Sequence, residues 1–303
     1  MTNTQSGLLA LVASCTIWGL SPLYYKLLVH VPPMEILAHR TVWSLVFFLI
    51  LLGAQRRIGA LPAALSTGRA VGITLICALM ISTNWALFIW SVQVGRTTEA
   101  SLGYYIFPLV AVLMGVVVFR ERLSRLQWAS VALAAVAVLV LTVGLGAAPW
   151  ISLVLAVTFG TYGLIKKGTA TGPVVSVAGE VALLTPVALL FLLWWTAQGW
   201  GHHGDPATLG LLMVSGVLTG GPLVLFSYGA RRVRMATTGL VQYLNPTLQF
   251  LCAVLIFGEP FGPVHMVAFA LIWIALALYS GVSLVQDRAR RKIAIAASGE
   301  LAD

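Results

Sequence analysis

The sequence predicts an all-α integral membrane protein of ten transmembrane helices, built as two inverted five-helix repeats. Three observations carry that prediction: the excess of apolar over charged residues, the spacing of the apolar runs, and a set of residues that recurs half a chain apart. Of 303 residues, 59% are hydrophobic and 9% charged, and the mean hydropathy is +0.96. Soluble domains run near half apolar and about a quarter charged, so they have no interior large enough for this excess. A bilayer removes the difficulty. Each crossing takes roughly 20 apolar residues as helix, because every backbone polar group must be satisfied within the span. Ten crossings with short connections consume the chain and leave no length for a soluble catalytic domain.

Taken in order, the spans are expected at 7–29, 33–54, 70–94, 98–119, 125–144, 148–168, 173–197, 208–229, 235–258 and 262–285. Pro, Gly and Arg clusters punctuate several boundaries, among them Pro32-Pro33, Arg56-Arg57, Gly172-Pro173 and Glu259-Pro260. Residues 1–145 are expected to form the first unit, 146–286 the second, and 287–303 a polar, frayed tail. The N-terminus has no basic stretch and the first apolar run outlasts that of a secretory signal, so span 1 is read as a true helix. Of the 18 Lys and Arg residues, 15 fall in connections on one side once the N-terminus is placed in the cytoplasm. Lys26 and Arg96 fall on the other side, and Arg40 lies inside span 2. That asymmetry puts both termini in the cytoplasm. The basic residues form short clusters rather than a stripe, which argues against a nucleic-acid partner. Cys15, Cys77 and Cys252 each sit inside an apolar run without metal or redox spacing and are read as small buried residues.

The repeat is the strongest organisational signal. Tyr105, Pro108, Phe119 and Glu121 recur 138 residues later as Tyr243, Pro246, Phe257 and Glu259. Phe88 with Phe226 and Arg96 with Arg234 keep the same step, while Gly19 with Gly160 and Lys26 with Lys167 keep one of 141. Five helices per unit is an odd number, so the second unit must enter the membrane upside down. Inverted repeats are the hallmark of secondary transporters that alternate access by rocking one half against the other. No Walker A ending, His-Glu-x-x-His or Gly-x-Ser-x-Gly is present, so ATP-driven pumping and the simplest hydrolase chemistries are disfavoured, and no enzymatic activity is expected.

Several segments resemble the drug/metabolite transporter superfamily, EamA family, and within it the RarD subfamily. They are Glu35-Ile36-Leu37-Ala38-His39-Arg40, Asn84-Trp85-Ala86-Leu87-Phe88-Ile89-Trp90, Glu99-Ala100-Ser101-Leu102-Gly103-Tyr104, Glu121-Arg122, Gln127-Trp128 and Gln242-Tyr243-Leu244-Asn245-Pro246-Thr247. The resemblance spans nearly the whole chain and implies a ten-helix carrier of the cytoplasmic membrane. Substrates vary widely across that superfamily, so it fixes no solute.

Ionisable groups inside a membrane are the first functional candidates, since each costs about 2.5–3.5 kcal/mol at mid-helix. Arg40 and Glu180 occupy matching positions in the two units, and Glu35 and His39 share one helical face where a proton can pass between them. A direct Arg40–Glu180 pair would require both side chains to stretch. Glu99 lies within reach of Arg96. Thr238, Gln242, Asn245 and Gln249 form a polar row along span 9, and Ser14, Trp18, Ser21 and Tyr25 form one along span 1. Span 8 adds Ser215, Thr219 and Pro222. Trp18, Asn84, Trp85, Tyr104, Tyr105, Gln242, Tyr243 and Asn245 are therefore the expected substrate contacts, against the plainer reading that they only join helices. Trp43, Trp128, Trp150, Trp194, Trp195 and Trp200 suit the membrane interfaces, and Pro108 and Pro246 are expected to kink their helices. Gly216-Val-Leu-Thr-Gly220 marks close helix packing, within or between subunits. His202-His203 is read as a solvated pair, with no metal or cofactor expected.

These residues point to a secondary transporter of small amphipathic organic solutes, amino-acid-like metabolites or drugs, exporting them with a proton gradient. The rivals are an uncoupled facilitator and a membrane sensor or scaffold. Expected partners are a small-molecule substrate, lipid and protons, with the protein a monomer or a homodimer.

Overall fold

Helix starts follow local chemistry in the computed structural model, which describes residues 3–120, 123–146, 148–169, 171–233 and 235–299. Glu121, Arg122 and Arg234, used above as markers, lie outside the described residues. Span 1 is two pieces, α1 (Asn3–Gly19) and α2 (Ser21–Leu27), and span 2 is α3 (Pro33–Ala54). A short helix absent from the expectation, α4 (Ala60–Ala64), leads to span 3, α5 (Gly68–Gln93). Spans 4 to 8 are α6 (Thr97–Phe119), α7 (Arg125–Leu145), α8 (Trp150–Lys167), α9 (Pro173–Ala197) and α10 (Pro206–Ala230). Span 9 comprises α11 (Met235–Gln242), α12 (Leu244–Leu251) and a π-helical turn, Cys252–Ile256. Span 10 is α13 (Pro263–Gly299). It runs on to Gly299 through the segment expected to be a frayed tail, where Ala, Arg and Lys favour helix and no proline stops it.

Proline opens α3, α9 and α10 at the one end where its missing N–H costs nothing. Ser124 and Gln127 form a reciprocal capping box on α7, and the Thr67 hydroxyl caps α5. The Asp205 carboxylate caps α10, accepting from the Thr208 hydroxyl at 2.7 Å and the Thr208 amide at 2.9 Å. Those two bonds hold its pKa below the ordinary aspartate value. Nine spans among the described residues are long and apolar enough to cross a membrane, and the 18-residue α8 is the tenth apolar helix. Large apolar side chains face outward over the bundle, among them Val117, Val143, Leu190 and Leu255. Water would not tolerate that surface, and lipid does.

The main helix contacts obey a simple exchange. Span 1 packs on 9 as span 6 packs on 4, span 1 on 8 as 6 on 3, and span 2 on 8 as 7 on 3. Spans 2 and 7, 4 and 9, and 5 and 10 each pack on their own counterparts. Swapping every span with the one five places on returns the same set, as an inverted repeat demands. The αL ends agree too: Arg120 (φ 54°) closes α6, and Gly258 (φ 64°), 138 residues on, closes span 9. Gly216 of α10 lies directly on the Trp43 backbone of α3, so the GxxxG stretch serves packing within this chain.

The halves differ in where their helices break. Pro108 sits inside α6 without interrupting it, whereas span 9 breaks at Tyr243, three residues before Pro246. Span 1 breaks at Leu20, and the two breaks touch: a Cβ on Gly19 would lie 3.0 Å from the Asn245 carbonyl oxygen. At the ends of α6 and span 9 the units are tied by Glu259. Its buried carboxylate accepts the amides of Thr97 and Thr98 at 2.7 Å each and the Thr98 hydroxyl at 2.8 Å, capping the N-terminus of α6.

Candidate functional site

Arg40 is the centre of the site. It is 6% exposed, about two turns into α3. Its Nε donates to Thr219 Oγ1 on α10 at 2.8 Å, and its NH1 donates to the Tyr25 hydroxyl on α2 at 2.5 Å. The guanidinium lies 4.0 Å from the ring centroid of Trp85 on α5, a cation–π contact strengthened by the dry surroundings. No described carboxylate pairs with it. A buried cation without an anion is costly, and the remaining N–H donors of its planar fork are shaped to take a carboxylate two-handedly.

Glu180 lies elsewhere, so the stretched Arg40–Glu180 pair does not form. Its carboxylate is 1% exposed and is met by the Lys166 ammonium at the end of α8, which also reaches the Ser176 hydroxyl. Tyr162 donates to the same carboxylate at 3.2 Å. Charge counting placed Lys166 in a loop, but its long stem carries the ammonium back into the bundle. The two arrangements are related by the repeat, because Tyr25 and Lys166 are 141 residues apart and Arg40 and Glu180 are 140 apart. Each unit joins its first span to its second at the same place. One unit supplies both charges there, and the other supplies only the cation.

Aromatic rings bridge the two places. Tyr25 meets Phe88 at 6.0 Å between centroids, Phe88 meets Tyr104 at 5.7 Å, Tyr104 meets Phe159 at 5.8 Å, and Phe159 stacks on Tyr162 at 6.2 Å. The row thus runs from the partner of Arg40 to the partner of Glu180 and draws on both units.

The other sequence candidates divide. Asn84 is fully buried, donating to the Leu155 carbonyl at 2.9 Å and Thr158 Oγ1 at 3.0 Å and accepting from Tyr104 at 2.7 Å, which is the wiring of an interhelical joint. Trp18 packs on Phe226, and Asn245 accepts from Gln249 at 3.0 Å, so both flank the touching breaks. Gln242, half-buried, is the last residue of α11 at the same break. Tyr105 and Tyr243 line a separate open groove of about 510 Å³ with Thr247, Trp273 and Ser280, and Tyr105 is 2.6 Å from Thr247 Oγ1. Glu99 pairs with Arg96 at 2.7 Å, as its spacing predicts.

Glu35 and His39 do not face each other alone. The connection between α9 and α10 folds over the start of α3, so His202 is not a merely solvated residue. Glu35, wholly buried, accepts the His202 amide at 2.7 Å, lies 2.8 Å from His202 Nδ1, and accepts from the Trp195 indole at 3.1 Å. Trp195 accordingly turns its indole N–H toward Glu35. His203 joins Glu35 and His39, with one ligand atom of each within 4.8 Å of the others. Tyr25 and Thr219 stood in the polar rows of spans 1 and 8, but nothing in their spacing assigned them to Arg40. Nothing in the sequence marks Lys166 and His203 as turned toward the bundle, because residues in chain connections read as solvent-facing.

A bundle of ten apolar spans with inverted packing and a buried, half-satisfied cation is the architecture of a membrane transporter. The chain belongs to the EamA-like transporter family, whose model matches it twice, over residues 5–143 and 147–281. It is similar to Protein RarD of Streptomyces exfoliatus, with 45% identity covering 98% of this chain and 96% of that protein. It is also similar to Protein RarD of Escherichia coli K12, with 40% identity over 91% and 94% of the two chains. A crystal structure of a protein 19% identical superposes with a TM-score of 0.62, covering 91% of this chain and 98% of the other, a likeness of fold alone.

Proposed function

We propose that this protein is a secondary active exporter of small amphipathic organic solutes carrying a carboxylate, working by alternating access between residues 1–145 and 146–286 of the cytoplasmic membrane. The observation that carries the reading is Arg40, a buried guanidinium lacking a carboxylate where the equivalent place in the other unit has one. The solute supplies the missing group. Its apolar body lies along the Tyr25, Phe88, Tyr104, Phe159 row, which a sugar or inorganic ion would waste. The touching breaks in spans 1 and 9 support a hinge, since interrupted helices in carriers free the backbone near the substrate. Glu180, held by Lys166, is the proposed proton-responsive group.

The test is flux through liposomes containing the purified protein. Carboxylate-bearing amphipathic solutes should cross chemically unaltered and faster than their amide analogues. Equal rates for acid and amide would sink the assignment to Arg40, and an altered product would indicate an enzyme.

Sidedness is tested separately. On a background lacking Cys15, Cys77 and Cys252, a cysteine replacing exposed Ser66 should react with impermeant thiol reagents only from the cytoplasm. One replacing exposed Gly204 should react only from outside. The opposite pattern would reverse the proposed placement of both termini.

A further inference from the structure

We propose that Glu35, His39 and His203 form a binding site for a divalent transition metal, zinc above all, at the end of the bundle that charge counting assigns to the outside. Each residue offers one ligand atom, and these lie within 4.8 Å of one another. His39 Nε2 and His203 Nδ1 are both buried, and neither makes a hydrogen bond among the described residues. Buried polar atoms are almost always satisfied, so two orphaned imidazole nitrogens beside one carboxylate call for a shared partner. Glu35 and His39, four residues apart, present their side chains on the same face of α3. His203 reaches them because residue 201 is glycine: a Cβ there would fall 2.6 Å from His203 Cε1 and 2.9 Å from Nδ1.

The donors decide the metal. Two imidazoles and one carboxylate suit zinc, which takes three protein ligands and leaves a fourth position for water. Calcium and magnesium demand oxygen ligands. A tetrahedral zinc site spaces its donors about 3.4 Å apart, from bond lengths near 2.0–2.1 Å, so modest side-chain rotations close the cluster. The supporting groups are in place: the Trp195 indole and the His202 amide hold the Glu35 carboxylate in orientation, as outer partners of metal ligands commonly do. Occupancy would pin the α9–α10 connection to the first turns of α3, one residue before Arg40.

The experiment uses the full chain in detergent, tag removed and treated with EDTA, titrated with zinc chloride by calorimetry and followed by thermal denaturation. One zinc per chain should bind and raise Tm, while magnesium and calcium leave it unmoved. His39→Ala and His203→Ala should each weaken zinc binding by at least about tenfold, in keeping with the loss of a direct ligand. His203→Cys, which restores a zinc ligand, should bind better than His203→Ala. His265→Ala on α13 should bind as the parent does. His39 is buried, so His39→Ala is expected to lower the metal-free Tm through lost packing, and zinc affinity rather than Tm is the readout for that variant. Should His39→Ala fail to fold, the two His203 variants decide the matter. Zinc binding that is absent, or unchanged in both His203 variants, would overturn the site.

Discussion

Arg40→Met is expected to abolish transport of carboxylate-bearing solutes while leaving the folded protein as stable as before, or more so. Methionine keeps the apolar stem of the side chain but has no guanidinium to bind an anion or to lie over Trp85. Two charge-assisted hydrogen bonds to a bound carboxylate are together worth about 3 kcal/mol, which is roughly a 100-fold loss of affinity. Stability should move the other way. Arg40 is buried with no counter-ion among the described residues, so an apolar replacement removes a desolvation cost. Arg40→Lys should fall between, because lysine keeps the charge but loses the planar fork. Flux into liposomes and thermal denaturation in detergent read the two effects separately. A fall in Tm parallel to the loss of flux would make Arg40 a structural residue, and flux within about threefold of the parent would remove it from the site.

Lys166 and Glu180 should behave in the opposite manner. Either one replaced alone by methionine leaves the other as a buried, uncompensated charge, and the expected cost is about 3–5 kcal/mol. Replacing both should recover most of that loss, since a buried pair is often no more stable than apolar residues of similar volume. The recovered double variant then isolates function from folding. With Glu180 as the proton-responsive group, it should exchange solute down its gradient but no longer accumulate it against one when a pH gradient is imposed. Uphill accumulation at the parental rate would free Glu180 of that role and leave the pair as a structural bolt.

Much of the architecture was legible because lipid imposes simple rules. The span count, nearly every span boundary and the repeat all follow from apolar length, punctuation and residue spacing. What the sequence concealed lies in the connections and in the third dimension. Residues 198–205 read as solvent, yet they return to cover Glu35, because its buried carboxylate must find donors and the nearest are on that segment. Lys166 read as a loop cation for want of any sign that its ammonium turns inward. Proline at 108 leaves α6 continuous, whereas breaks fell in spans 1 and 9, the latter three residues before Pro246. Spacing also put Arg40 and Glu180 at matching positions. That they are two versions of one contact, one an ion pair and one a cation without a carboxylate among the described residues, emerged only from their neighbours.

The Glu259 cap has a consequence for the order in which the protein is made. Thr97 and Thr98 open α6, and their amides stay without an acceptor until residue 259 arrives, some 160 residues later in synthesis. An uncapped helix start is tolerable in water but expensive in a membrane. The first five helices can therefore insert as they emerge, yet they cannot settle until span 9 is across the bilayer. The two units are joined by packing along most of their spans and, at this end, by the Glu259 carboxylate, and neither is expected to be a finished protein when expressed alone.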